Sequence, residues 1–77
     1  MELKTDVIYK QTVDSQIGYE LWKFTGQTMD GPNGKLYCME SQRYNGGYQW
    51  FDNEDLKYFI EISYEEFRRL LKTLQND

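Results

Sequence analysis

The sequence of 77 residues has no histidine, one cysteine and one proline. Without an imidazole, the commonest general acid–base group is missing. A single thiol, Cys38, cannot form an internal disulfide, and with no histidine beside it a zinc site has too few ligands. The one cysteine suits a reducing compartment. Basic residues are also in short supply: 9 Lys and Arg stand against 13 Asp and Glu, for a net charge of −4. Duplex nucleic acid and anionic membrane surfaces both need clustered cations, so neither is an expected partner. No apolar run approaches the ~20 residues of a membrane helix. The polar start Met1-Glu2-Leu3-Lys4-Thr5-Asp6 does not have the pattern of a signal peptide. The expected setting is cytoplasmic.

Aromatic residues are the abundant class, at 17 % of the chain, with 7 Tyr, 4 Phe and 2 Trp. Disordered chains lack such residues, so a folded domain is expected. Its length suits a single domain spanning 1–77. Charge is spread evenly, six acids and four bases in residues 1–40 and seven and five in 41–77. There is no repeat and no low-complexity tract.

The clearest element is a C-terminal helix, from Tyr64 to about Gln75. Ser63 and Glu66 have capping-box spacing, and Ile62 and Phe67 occupy the staple positions around them. Phe67, Leu70, Leu71 and Leu74 recur at i, i+3, i+4 and i+7, one apolar face that Tyr64 extends toward the start. Glu65 precedes Arg69 by four residues, an i, i+4 ion pair in the favourable order.

Residues 7 to 62 read as strands and turns. Val7–Val13 is a first strand, with Val7, Tyr9 and Val13 on one side, and Asp14-Ser15-Gln16 is a turn. Ile17–Thr25 is a second strand, with Tyr19 and Leu21 on one face and Trp22 and Phe24 on the other. Gly26–Gly34 holds three glycines and the proline and reads as the longest loop. Lys35–Tyr44 is a third strand, turned by Asn45-Gly46 into a fourth, Tyr48–Phe51. After the polar turn Asp52-Asn53-Glu54-Asp55, Leu56, Tyr58, Ile60 and Ile62 alternate with Lys57, Phe59 and Glu61 as a fifth strand. The expected fold is therefore α+β: an antiparallel meander of about five strands with the helix packed on it. A sheet curled toward a small open barrel is the alternative. Both faces carry apolar residues, so the pattern does not say which one the helix covers. A meander with a C-terminal helix and several aromatics is loosely similar to chromo-like modules, a likeness of architecture that carries no function.

One short helix cannot cover both faces of such a sheet. The face left over would be aromatic, and exposed aromatic patches mark interfaces. Trp22, Phe24, Tyr48, Trp50 and Phe59 are accordingly the candidate partner-binding residues. Closure of the sheet on itself would instead place the same residues in a core.

Other constellations are weaker. Asp52, Glu54, Asp55 and Glu61 form an acidic surface, readable as a phosphate mimic or as a solvated turn, and lack the pattern of a calcium loop. Arg43, Arg68 and Arg69 are candidate anion-binding residues, although bases interleaved with Glu65 and Glu66 equally describe a solvated helix face. Cys38 falls on a strand face with Leu36 and reads as a small core residue. Ser15, Ser41 and Ser63 have no recognisable base.

The expected function is that of a small acidic, non-catalytic protein-binding module with no cofactor and no metal. Such a module suits an inhibitor, for example a phage-type antagonist of host defence or an immunity protein. The alternatives are a homo-oligomeric binder of a nucleotide-like small molecule, with self-association as a homodimer, and a structural subunit of a larger assembly.

Overall fold

The computed structural model describes residues 2–13, 18–43 and 46–75, with Val13, Leu74 and Gln75 described by backbone alone. The turn at residues 14–16 and the Asn45 half of the expected Asn-Gly turn lie outside the described residues, as does the side chain of Leu74. Five strands, β1 (Ile8–Val13), β2 (Gly18–Gly31), β3 (Gly34–Ser41), β4 (Tyr48–Phe51) and β5 (Phe59–Ile62), precede one helix, α1 (Tyr64–Gln75). The sheet order is β4-β3-β2-β1-β5, with every pair antiparallel. The fold is thus an α+β meander whose last strand returns to pair with the first. It is not closed into a barrel, because β4 and β5 remain edges. No helix among the described residues is long and apolar enough to cross a membrane.

Two expectations about elements are corrected. Gly26–Gly34 is not a long loop: β2 runs through Gly31, β3 starts at Gly34, and only Pro32 and Asn33 turn the chain. Gly26, at φ +91°, instead marks a bulge. Between the pairs Phe24↔Met39 and Thr28↔Tyr37, three β2 residues face the single β3 residue Cys38. Glycine takes that left-handed φ without steric cost, and the bulge bends the strand. The second correction concerns Leu56, which belongs to a 3-10 helix, Asp55–Tyr58, and not to β5. Asp52 and Asp55 hold its start reciprocally: the Asp55 N–H donates to Asp52 Oδ1 at 2.9 Å, and the Asp52 N–H to Asp55 Oδ2 at 3.2 Å. At three residues per turn, Leu56 and Phe59 point the same way, whereas strand alternation had set them on opposite faces.

Alternation on β1 and β2 divides the core into two layers. The inner face buries Tyr9, Trp22, Phe24, Met39, Phe51 and Phe59 with Leu56, and Leu3, Val7 and Tyr37 pack against them. The outer face buries Ile8, Leu21 and Ile62 against Phe67 and Leu70 of α1. No helix covers the inner face, so the sheet curls over it. Phe51 on one edge strand and Phe59 on the other meet edge to face at 5.0 Å, and Trp22 meets Phe51 at the same distance. Each such ring contributes about 1.5–3 kcal/mol by burial alone. The polar tips are satisfied: Trp22 Nε1 donates to Gln11 Oε1 at 2.8 Å, and Tyr9 Oη accepts from the Lys4 N–H at 2.8 Å.

The helix matches its expected bounds. The Glu66 N–H donates to Ser63 Oγ at 3.1 Å, the N-cap bond anticipated for Ser63. Tyr19 Oη donates to the Leu70 carbonyl at 3.0 Å and ties α1 to β2. Tyr64 does not extend the buried face: it is exposed, its ring leaning on Phe67. The ion pair on this helix joins Arg69 to Glu66 at 3.9 Å rather than to Glu65.

Candidate functional site

Helix α1 covers the outer face only where β1, β2 and β5 lie beneath it. Further along the sheet that face is bare. There, cross-strand registers align Lys23 on β2, Glu40 on β3 and Tyr48 on β4 in one row, and bring Cys38 opposite Trp50 in the next. Tyr48 is 68 % exposed and Trp50 41 %, the only exposed aromatics among the described strand residues. Beside them the Gly26 bulge opens a shallow groove of about 640 Å³, lined by Lys23, Thr25, Cys38, Glu40, Tyr48 and Trp50 among others. Thr25 Oγ1 donates to the Cys38 carbonyl at 3.0 Å and accepts from the Gln27 N–H at 3.2 Å, which holds the bulge in shape. Cys38 itself is a buried free thiol at the groove floor.

The structure therefore splits the five aromatic candidates. Tyr48 and Trp50 stand together on the bare outer face. Trp22, Phe24 and Phe59, at 6 %, 8 % and 2 % exposure, are core. The expectation of an exposed face containing these three is corrected: curl of the sheet, together with Leu56 and the N-terminal Leu3 and Val7, buries them. Lys23 and Glu40 were not anticipated at the site. Their signal is the hairpin register, which places Glu40 directly opposite Tyr48 once β3 and β4 are paired.

The acidic candidates are occupied locally. Asp52 and Asp55 cap the 3-10 helix, and Glu61 lies 3.9 Å from Lys4. Glu54 holds Lys57 at 2.8 Å, and this hydrogen bond, with the carboxylate charge behind it, raises the Lys57 ammonium above the ordinary lysine value. Among the described residues, no group of three or more Cys, Asp or Glu side chains is placed to hold a metal.

The three arginines do not converge. Arg68 and Arg69 line a hollow of about 310 Å³ on the exposed side of α1 with Glu65 and Lys72. Arg43, beyond the end of β3, instead pairs with Glu20 at 2.9 Å. Arg68 lies over the Tyr64 ring at 6.0 Å, within cation–π range.

The bare outer face can offer aromatic surface flanked by one base and one acid, on a strand at the edge of the sheet. Comparison of the chain with protein-family models, with curated proteins and with solved structures gives no match.

Proposed function

We propose that this chain is a small, non-catalytic protein-binding module, and that its contact surface is the bare outer face of β3 and β4 with Tyr48 and Trp50 as anchors. One observation carries the reading: the strand aromatics are buried or half-buried except for two adjacent ones, which share an uncovered face at the sheet edge. Tyr and Trp supply large contact area at small entropic cost and dominate interface energetics. The net charge of −4 favours a partner with a basic surface. A module of this size acts as an inhibitor when the surface it covers is the partner's own working site.

The groove has a volume within the small-molecule range. However, the arginines that would pair a nucleotide's phosphates line a different hollow or are ion-paired, which favours a protein over a nucleotide-like ligand.

The test begins with native mass spectrometry of the protein recovered with its partner from source lysate, and continues with the affinity of that partner for variants. Trp50→Ala and Tyr48→Ala are each expected to weaken binding by about 2 kcal/mol, roughly 30-fold. Folded variants that bind as tightly as the parent chain would remove this face from the interface.

A further inference from the structure

Edge strand β4 carries a second, independent feature in its backbone. The Ser41 N–H donates to the Gly47 carbonyl at 2.8 Å, which makes Ser41↔Gly47 a hydrogen-bonded pair of the β3–β4 ladder. In an antiparallel ladder such pairs alternate with non-bonded ones. Met39↔Gln49 and Tyr37↔Phe51 are then bonded, while Glu40↔Tyr48 and Cys38↔Trp50 are not. The Cys38 carbonyl agrees with this parity, since it accepts from Thr25 Oγ1 on the β2 side, away from β4. Consequently the N–H and C=O groups of Tyr48 and Trp50 point out of the sheet, along its free edge.

This edge is also unprotected. Tyr48-Gln49-Trp50-Phe51 has no charged residue and no proline, whereas natural sheets blunt their edges with both. The opposite edge, β5, carries Glu61 and runs straight into the Ser63 cap of α1. Like charge opposes self-association of a chain with net charge −4, but β4 brings none to the contact.

We propose that β4 pairs antiparallel with β4 of a second copy, about a two-fold axis through Gln49. Only registers that set an outward-pointing residue against another outward-pointing one can bond. Of these, the register with Tyr48 opposite Trp50 of the second copy, and Trp50 opposite its Tyr48, forms two bonded pairs within β4, where Tyr48 opposite Tyr48 or Trp50 opposite Trp50 forms one. It is self-complementary, as a two-fold contact requires. Gln49 then faces its own copy in a non-bonded pair, where two side-chain amides can hydrogen-bond. Side chains of directly opposed residues lie on one face of a sheet, so four aromatic rings gather on the outer face. The two bare faces become one surface, and each copy contributes half of it. This inference does not rest on the protein-binding reading. It supplies a larger platform if that reading holds and stands without it.

Two measurements on the isolated chain test the pairing. Sedimentation velocity from micromolar to millimolar concentration is expected to show a monomer–dimer equilibrium. Over the same range, amide exchange by NMR should show the Tyr48 and Trp50 protons gaining protection, while the Gln49 proton, bonded to β3, is protected throughout. A second copy paired by side chains alone would leave Tyr48 and Trp50 unprotected and would overturn the proposal. So would a monomer at every concentration, or trimers and longer species built by joining β4 to β5. Exposed-residue variants then test the contact itself. Tyr48→Lys/Trp50→Lys and Tyr48→Glu/Trp50→Glu should each raise the dimer dissociation constant at least about tenfold, and their equimolar mixture should restore dimer. Dimers that persist in either variant, or a mixture that stays monomeric, contradict this contact.

Discussion

The two faces of the sheet solve the same burial problem differently. The inner face is aromatic, has no helix over it, and is enclosed by curl of the sheet with Leu56 and the N-terminal segment as plugs. The outer face is aliphatic where α1 sits on it and bare where α1 ends. Large flat rings on neighbouring strands can fill a curled interior edge to face, as Trp22, Phe51 and Phe59 do. A helix of 12 residues covers only part of a five-stranded sheet, so the side that relies on the helix is the side left open. The open remainder therefore falls on the outer face, over β3 and β4.

The sharpest way to break this contrast is to empty the inner face. Phe59→Ala removes the ring that links the two edge strands and is expected to cost about 3–5 kcal/mol, a large share of the stability of so small a domain. Urea denaturation followed by tryptophan fluorescence measures the loss. Leu70→Ala on the helix side should cost less, about 2–3 kcal/mol, because the side chain removed is smaller and Leu70 keeps 8 % exposure against 2 % for Phe59. Equal losses for the two variants would mean that the inner face is no more central than the outer one. Ser63→Ala removes the N-cap of α1. A loss of about 1 kcal/mol is expected in the same denaturation experiment, without change in the urea m-value. The smallest effect belongs to the bare face: Trp50→Ala should shift stability by no more than about 0.5 kcal/mol. A loss of several kcal/mol there would reassign Trp50 from surface to core.

Much of the fold was legible from spacing. The Ser63 cap and the Phe67, Leu70 and Leu71 periodicity located α1 from Tyr64 to about Gln75, and alternation on β2 and β4 separated Leu21 from Trp22 and Trp50 from Phe51. Two elements were misread for identifiable reasons. Glycine at Gly26 serves a bulge as readily as a loop, and composition alone does not distinguish them. Leu56 and Phe59, three residues apart, share a side only if the turn before β5 is helical, and the reciprocal Asp52–Asp55 cap that makes it so resembles an ordinary polar turn. The candidate site was half legible: Tyr48 and Trp50 stood among the aromatics singled out, but nothing in the linear pattern separated them from Trp22, Phe24 and Phe59.

Local sequence alone determined which residues form the helix, which strand residues share a face, and which chemistries are missing for want of histidine and paired cysteine, because each follows from neighbours within a few positions along the chain. Which aromatics are buried was decided only in three dimensions. Exposure depends on what lies across from a residue. For Phe59 that is Phe51, eight residues away in sequence and at the opposite edge of the sheet, brought within 5.0 Å by curl. For Trp50 on the outer face, it is open solvent.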